Sequence, residues 1–170
     1  MGSVPQGIHN AICIGIVNIG TQRGQFGPQK KVTLLWEIHI NNQIKNASRE
    51  YTLSFDERAT LRKHLERWRG RPFTKDELSR FQLRNILGVP CRLEIGKDNG
   101  QKYVKNIYPF PKDEEKPISE TEHIYFDIAN EKTYQALKYV PTYLLTRIKQ
   151  TPEYKQSRLN GKGNSDIYID

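Results

Sequence analysis

The sequence predicts a mainly β protein with some helix: three strands, a helical segment, two more strands, and a C-terminal helical extension. Three observations carry this expectation. Residues 32–40 alternate apolar and polar with a period of two, as a strand buried on one face does. Asn99-Gly100 joins two further alternating stretches, and Asn-Gly accepts the positive φ angles of a tight hairpin turn. Between the two β groups lie two helix-start signals, Ser54-Phe55-Asp56-Glu57 and Thr74-Lys75-Asp76-Glu77, each with a hydroxyl followed three residues later by a carboxylate.

The first element, Ala11–Ile19, is β-rich and almost continuously apolar, so it reads as buried, with Gly15 marking a bend or bulge. A loop of Gly, Gln, Arg and Pro follows over residues 20–31. In the second strand Val32, Leu34, Trp36, Ile38 and Ile40 share one face and Thr33, Leu35, Glu37 and His39 the other. Asn41-Asn42-Gln43 starts the next turn. The third strand, near Arg49–Phe55, turns Tyr51, Leu53 and Phe55 inward, so Trp36 and Tyr51 are read as core rings. The first helix carries Leu61, Leu65 and Trp68 on one stripe and stops at Gly70 and Pro72. The second is short, to about Phe81, with Leu83, Ile86 and Leu87 packing beneath the sheet. Pro90–Ile95 and Gln101–Tyr108 are the last two strands, closed off by Pro109-Phe110-Pro111.

This order, with a bent first strand and helix between strands three and four, is that of a five-stranded OB-type barrel. The expected organisation is a barrel over residues 7–112, a linker and helical extension over 113–155, and a flexible tail over 156–170. In the extension, Ile124–Ile128 reads as a short strand, and Glu131–Lys138 and Thr142–Gln150 as helices broken by Pro141. Leu137, Leu144, Leu145 and Ile148 are its packing candidates. They are expected to meet the chain's own barrel or that of a neighbour in a homodimer.

The 170 residues are 36% hydrophobic and 27% charged, with no apolar run long enough for a membrane span. The first residues lack the basic and apolar regions of a signal peptide, so a cytoplasmic location is expected. Charge divides unevenly. Residues 1–112 hold 19 Lys/Arg against 9 Asp/Glu, a net of +10, whereas residues 113–170 hold 8 against 10, a net of −2. A polyanion partner for the first two-thirds follows.

Sites for catalysis are hard to find. The chain has no phosphate-binding glycine loop, GxSxG, HExxH or zinc-deaminase pattern, and His9, His39, His64 and His123 are scattered without acidic or cysteine partners at useful spacing. Cys13 and Cys91 lie in apolar strands with no ligand spacing. No catalytic residue, metal or cofactor is expected. Single-strand binding, by contrast, needs a cationic groove and exposed rings on which bases stack. On an OB barrel that groove crosses strands two and three between the strand 1–2 and strand 4–5 loops. The first loop holds Arg23, Phe26, Lys30 and Lys31. Lys45 and Arg49 start strand three. Lys97, Lys102, Tyr103 and Lys105 flank the second loop. These ten residues form the expected interface. Phe26 divides evenly between stacking and loop packing, and Tyr103 serves equally well as a cross-strand partner.

The stretches Tyr51-Thr52-Leu53-Ser54, Leu61-Arg62-Lys63, Trp68-Arg69-Gly70-Arg71-Pro72-Phe73-Thr74 and Leu87-Gly88-Val89-Pro90-Cys91 carry a resemblance. So do Gly100-Gln101-Lys102-Tyr103, Tyr108-Pro109-Phe110-Pro111-Lys112, Tyr143–Ile148 and Thr151-Pro152-Glu153-Tyr154. Together, over residues 7–155, the chain resembles phage and prophage single-stranded DNA-binding proteins of the replication module, also labelled replication initiation proteins. The resemblance implies an OB fold that coats ssDNA in phage replication or recombination, inside the bacterial host; the residues themselves leave DNA and RNA both open. It also implies recruitment of replication or recombination proteins through an acidic, hydrophobic C-terminal tip, here thinned to Asp166-Ile167-Tyr168-Ile169-Asp170. The alternative from another class is a phage-encoded protein–protein module that inhibits or recruits a host factor.

Overall fold

The structure, a computed structural model, describes residues 3–160. Strands β1 (Gly7–Gly24), β2 (Gly27–Ile40), β3 (Gln43–Thr52), β4 (Pro90–Asp98) and β5 (Gln101–Pro109) form one antiparallel path in the order β3-β2-β1-β4-β5. Helices α1 (Thr60–Arg69) and α2 (Lys75–Arg80) and a 3-10 turn (Leu83–Ile86) lie between β3 and β4. A sixth strand, β6 (Ile124–Asp127), runs parallel to β1. β1 is shared lengthwise: residues 7–12 pair with β4, and residues 15–18 give the same edge to β6.

The fold is therefore mainly β with helices, but the sheet is open. Of the expected five-stranded OB-type barrel, the mainly β character and the helix between β3 and β4 are present, and the sheet does not close. β3 and β5 approach without a backbone ladder, and a side chain spans the gap: the Arg49 guanidinium donates to the Val104 carbonyl at 2.5 Å. Tyr51 of β3 meets α1, its Oη sharing a 2.7 Å hydrogen bond with His64 Nδ1.

β1 is apolar on both faces because two cores use it. Ala11, Cys13 and Ile16 face the inner core, with Val32, Leu34, Trp36 and Ile38 of β2 and Leu61, Leu65 and Trp68 of α1. Ile12, Ile14, Val17 and Ile19 face an outer core. The change of parity between Cys13 and Ile16 is a β-bulge: Cys13 pairs with Trp36 and Gly15 with Leu35, leaving Ile14 the extra residue. Gly15 lets Leu35 pack closely there, since a Cβ would stand 2.6 Å from Leu35 Cδ1 and 3.0 Å from its Cβ and force that side chain to shift.

The hairpin at Asn99-Gly100 has both residues at positive φ, 49° and 78°, and Asn41-Asn42 makes the equivalent turn between β2 and β3. Thr74 and Glu77 form the expected capping box of α2. The box expected at Ser54 does not form. Ser54 Oγ accepts from the Asp56 N–H and Asp56 Oδ1 from the Arg58 N–H, so these side chains stabilise successive turns, and α1 starts uncapped after Ala59.

The C-terminal extension packs on the outer face of its own sheet. β6, a 3-10 segment (Glu131–Tyr139), α3 (Thr142–Lys149) and α4 (Pro152–Asn160) bring Phe126, Tyr134, Leu137, Leu144, Ile148 and Tyr154 against β1. The segment read as an α-helix over 131–138 is thus 3-10. Helix α4 carries chain order to residue 160, into the stretch read as tail from 156. The acidic tip at 166–170 lies outside the described residues.

Candidate functional site

The expected interface residues fall into three groups. Arg23 and Phe26 sit at the tip of the β1–β2 hairpin, where Gly24 pairs with Gly27. Phe26 is 81% exposed, so its ring has no packing role. Lys30 and Lys31 follow on the returning strand, opposite Thr21 and Gly20.

Lys31 of β2 and Arg49 of β3 line one surface groove of about 490 Å³ with Thr52, Arg58 and Thr60, the first residue of α1, and the Glu50 and Asp56 side chains line it too. Lys31 Nζ donates to Thr52 Oγ1 at 2.8 Å, and the Arg49 guanidinium lies 5.2 Å from the Tyr51 ring centroid. Arg49 is therefore already engaged in joining β3 to β5, and its charge reaches the groove from a fixed position. Lys45 shares the inward parity of Ala47 and Tyr51 at the far end of β3.

The third group lies on the β4–β5 hairpin. Lys97 faces Lys102 across the ladder, and Tyr103 pairs with Gly96. A Cβ on Gly96 would meet Tyr103 Cε1 at 3.2 Å and Lys105 Cβ at 3.3 Å, so both side chains lie across the glycine. Tyr103 is 37% exposed: part cross-strand partner, part open ring.

The two loops do not face each other over bare sheet. They stand at opposite ends of β1, the β4–β5 hairpin beyond Gly7 and the β1–β2 hairpin beyond Gly24. Between them the extension covers the outer faces of β1 and part of β2. It is fastened by polar contacts. The Thr21 N–H and hydroxyl donate to Glu153 Oε2 at 2.9 and 2.8 Å, Asn18 Nδ2 donates to Asp127 Oδ1 at 3.0 Å, and Arg147 pairs with Glu50 of β3.

Glu37, on the outer face of β2, is the main anchor. Its fully buried carboxylate accepts from the Glu120 and Thr121 N–H groups and from the Thr121 hydroxyl, and lies 2.7 Å from His39 Nε2. Burial pushes its pKa up, but the hydrogen bonds from Thr121, His39 and the Glu120 backbone outweigh this and hold it below its ordinary value. Alternation along β2 puts Glu37 on the face opposite Trp36, and the backbone groups that bury it lie more than eighty residues further on.

What stays open over β2 and β3 is a cleft of about 460 Å³. Leu35, Asn46 and Ser48 floor it, and Tyr139, Pro141 and Tyr143 wall it. Tyr139 and Tyr143 are each 55% exposed and were not among the expected residues. Their signal in the sequence is that Leu137, Val140 and Leu144, between and around them, take the packing positions.

The histidines have structural partners. His9 contacts the Pro5 carbonyl, His39 Glu37, His64 Tyr51, and His123 Ser119. Burial pushes the Cys13 thiol up to about 12 and Cys91 well above its ordinary value. Among the described residues, no three His, Cys, Asp or Glu side chains converge as metal ligands, and no helix is long and apolar enough to cross a membrane.

No family model matches the chain, and no curated protein or solved structure is significantly similar to it, so the arrangement of these side chains is what its functional reading stands on.

Proposed function

We propose that the protein binds single-stranded nucleic acid without sequence preference, ssDNA in the first place, in phage DNA replication or recombination. The observation that carries this reading is Phe26: a large ring 81% exposed at a hairpin tip, with Arg23 beside it and Lys30 and Lys31 on the returning strand. A ring without packing partners, next to cations, suits base stacking combined with phosphate neutralisation. The strand order β3-β2-β1-β4-β5 and the Arg49 bridge between β3 and β5 support reading the sheet as an OB-type barrel completed by side chains. The net +10 of residues 1–112 supplies the electrostatic attraction.

Fluorescence polarisation with a labelled oligo-dT strand, repeated across salt, tests this. Affinity should fall steeply as salt rises, and Phe26→Ala should weaken binding by about 1–3 kcal/mol. Absent binding, or binding indifferent to salt, would overturn the reading.

One observation favours a second reading, a protein–protein module. A cleft of about 450 Å³ between α1 and α2 is lined by Trp68, Phe73, Phe81 and Val89, with Arg69 and Arg80 at its polar side. Recovery of one stoichiometric partner from nuclease-treated lysate, lost on Phe81→Asp, would favour that module.

A further inference from the structure

We propose that the cleft walled by Tyr139 and Tyr143 is a base-stacking site, with the C-terminal extension supplying rings that the sheet itself does not present. The proposal rests on the single-strand reading above and places a second contact well away from Phe26.

Inward-facing rings cannot stack on a ligand, and Trp36 and Tyr51, the large rings of β2 and β3, are both buried. The extension makes good that absence on the opposite face of the same strands. Its packing onto the sheet is accomplished by Leu137, Val140, Leu144 and Ile148, all buried. Tyr139 and Tyr143 are left 55% exposed on either side of Pro141, bordering a concavity instead of standing singly on a convex surface.

The position of each ring is set by its surroundings. Tyr143 Oη lies 3.3 Å from Ser48 Oγ on β3, which ties that ring to the sheet. Lys138 Nζ lies over the Tyr139 ring, 5.2 Å from its centroid, so a base would stack on the other face of that ring, with this cation close to its phosphate. The floor offers the Asn46 amide, which donates and accepts and so tolerates any base, while the Ser48 and Thr121 hydroxyls are engaged by Tyr143 and Glu37. At about 460 Å³ the cleft lies within the range of small-ligand sites, about 300–1,000 Å³. It lies on the outer face of β2 and β3, on the side of β1 away from β4 and β5, so a strand that reaches it from the β1–β2 hairpin runs over the outer face of the sheet.

The test uses the full chain and a fluorescein-labelled oligo-dT long enough to reach both hairpins. Wild type is compared with Tyr139→Ala/Tyr143→Ala, Tyr139→Phe/Tyr143→Phe and Phe26→Ala at fixed salt. The double alanine variant should bind about tenfold or more weakly with an unchanged melting temperature, and the double phenylalanine variant should keep most of the affinity, because stacking needs the ring and not the hydroxyl. Crosslinking of the wild-type protein to a strand carrying 5-iodo-deoxyuridine should label peptides containing Tyr139 or Tyr143, a readout independent of how the variants fold. If Phe26→Ala weakens binding while the double alanine variant does not, and crosslinks avoid residues 139–143, the cleft proposal falls and the single-strand reading stands. If wild type does not bind the strand, both fall. If the double alanine variant keeps full affinity for the strand but loses a protein captured by wild type, the cleft is a protein site and the proposal is overturned.

Discussion

The two faces of β1 are equally apolar, yet they are covered by different parts of the chain and held in different ways. The inner face is covered from within residues 1–112, by α1 and the neighbouring strands, and its polar content is small: Tyr51 with His64, and Trp68 Nε1 donating to the Pro90 carbonyl at 2.9 Å. The outer face is covered from residues 124–154, and its cover is pinned by carboxylates: Glu37, Asp127 and Glu153. The inner core is thus mainly a packing problem, while the outer one also depends on hydrogen bonds accepted by side-chain carboxylates. The difference extends to charge, since the net +10 lies with the inner unit and the covering extension belongs to the −2 segment.

The largest expected effect tests whether the inner core governs the whole. Trp36→Ala removes a fully buried ring that stands 6.4 Å from Trp68, and should cost about 3–5 kcal/mol by urea denaturation. Both faces should then unfold together, because β1 serves both. Amide exchange in wild type should show residues 124–160 opening before β2 and β4. Equal protection in both regions would merge the two cores into one cooperative unit.

A second measurement separates the two faces by pH. Burial, followed by the nearby Arg49 and Arg67 charges, pushes the His64 pKa from 6.5 down to about 4. The unfolded chain therefore takes up the proton first, and stability should fall as pH drops from about 6.5 towards 4, by roughly 3 kcal/mol in all. His64→Gln should flatten that limb of the pH–stability curve, and an unchanged limb would remove His64 as its source. Glu37 titrates in the other core. Its carboxyl is held below 4.5, so its stabilisation is complete above that pH and is lost as pH falls further through the folded-state value. The inner face should therefore feel mild acid and the outer anchor only stronger acid.

The smallest effect concerns that anchor directly. Glu37→Gln leaves buried N–H groups facing a weaker acceptor and should cost about 1–3 kcal/mol. The sharper readout is limited proteolysis, with cleavage between residues 113 and 124 rising at a temperature where the sheet is still folded. Cleavage no faster than in wild type would show that packing alone holds the extension.

Much of the inner unit was legible in the residues. The β2 alternation, the Asn99-Gly100 turn, the Thr74–Glu77 box, the Gly15 irregularity and the inward Trp36 and Tyr51 all depend on neighbours close in sequence or on simple periodicity. Ser54 misled because one hydroxyl-and-carboxylate spacing serves a helix cap or a run of turns, and only tertiary context decides. The outer face was less legible for a different reason. Leu35 and Glu37 lie on the face opposite Trp36, and nothing near them in sequence tells that chain from residues 120–154 covers them. The candidate site shared that weakness. Phe26 could be singled out from its loop, whereas Tyr139 and Tyr143 acquire meaning only once α3 is laid against β3.

The bulge at Gly15 bears on how the chain avoids misassembly. A strand with one apolar face is kept in register by water, because a slip of one residue would expose that face. β1 has no such safeguard: slipped by one, Ile12 and Ile14 would point to the inner core and Ala11 and Cys13 to the outer, and none would be wetted. Its alignment has to come from shape and from polar contacts, namely the absent side chain against Leu35 and the Asn18–Asp127 and Thr21–Glu153 pairs. The last two partners arrive late in the chain. Until they do, the close approach of Gly15 to Leu35 and the tight turn joining Gly24 to Gly27 hold the central strand in line.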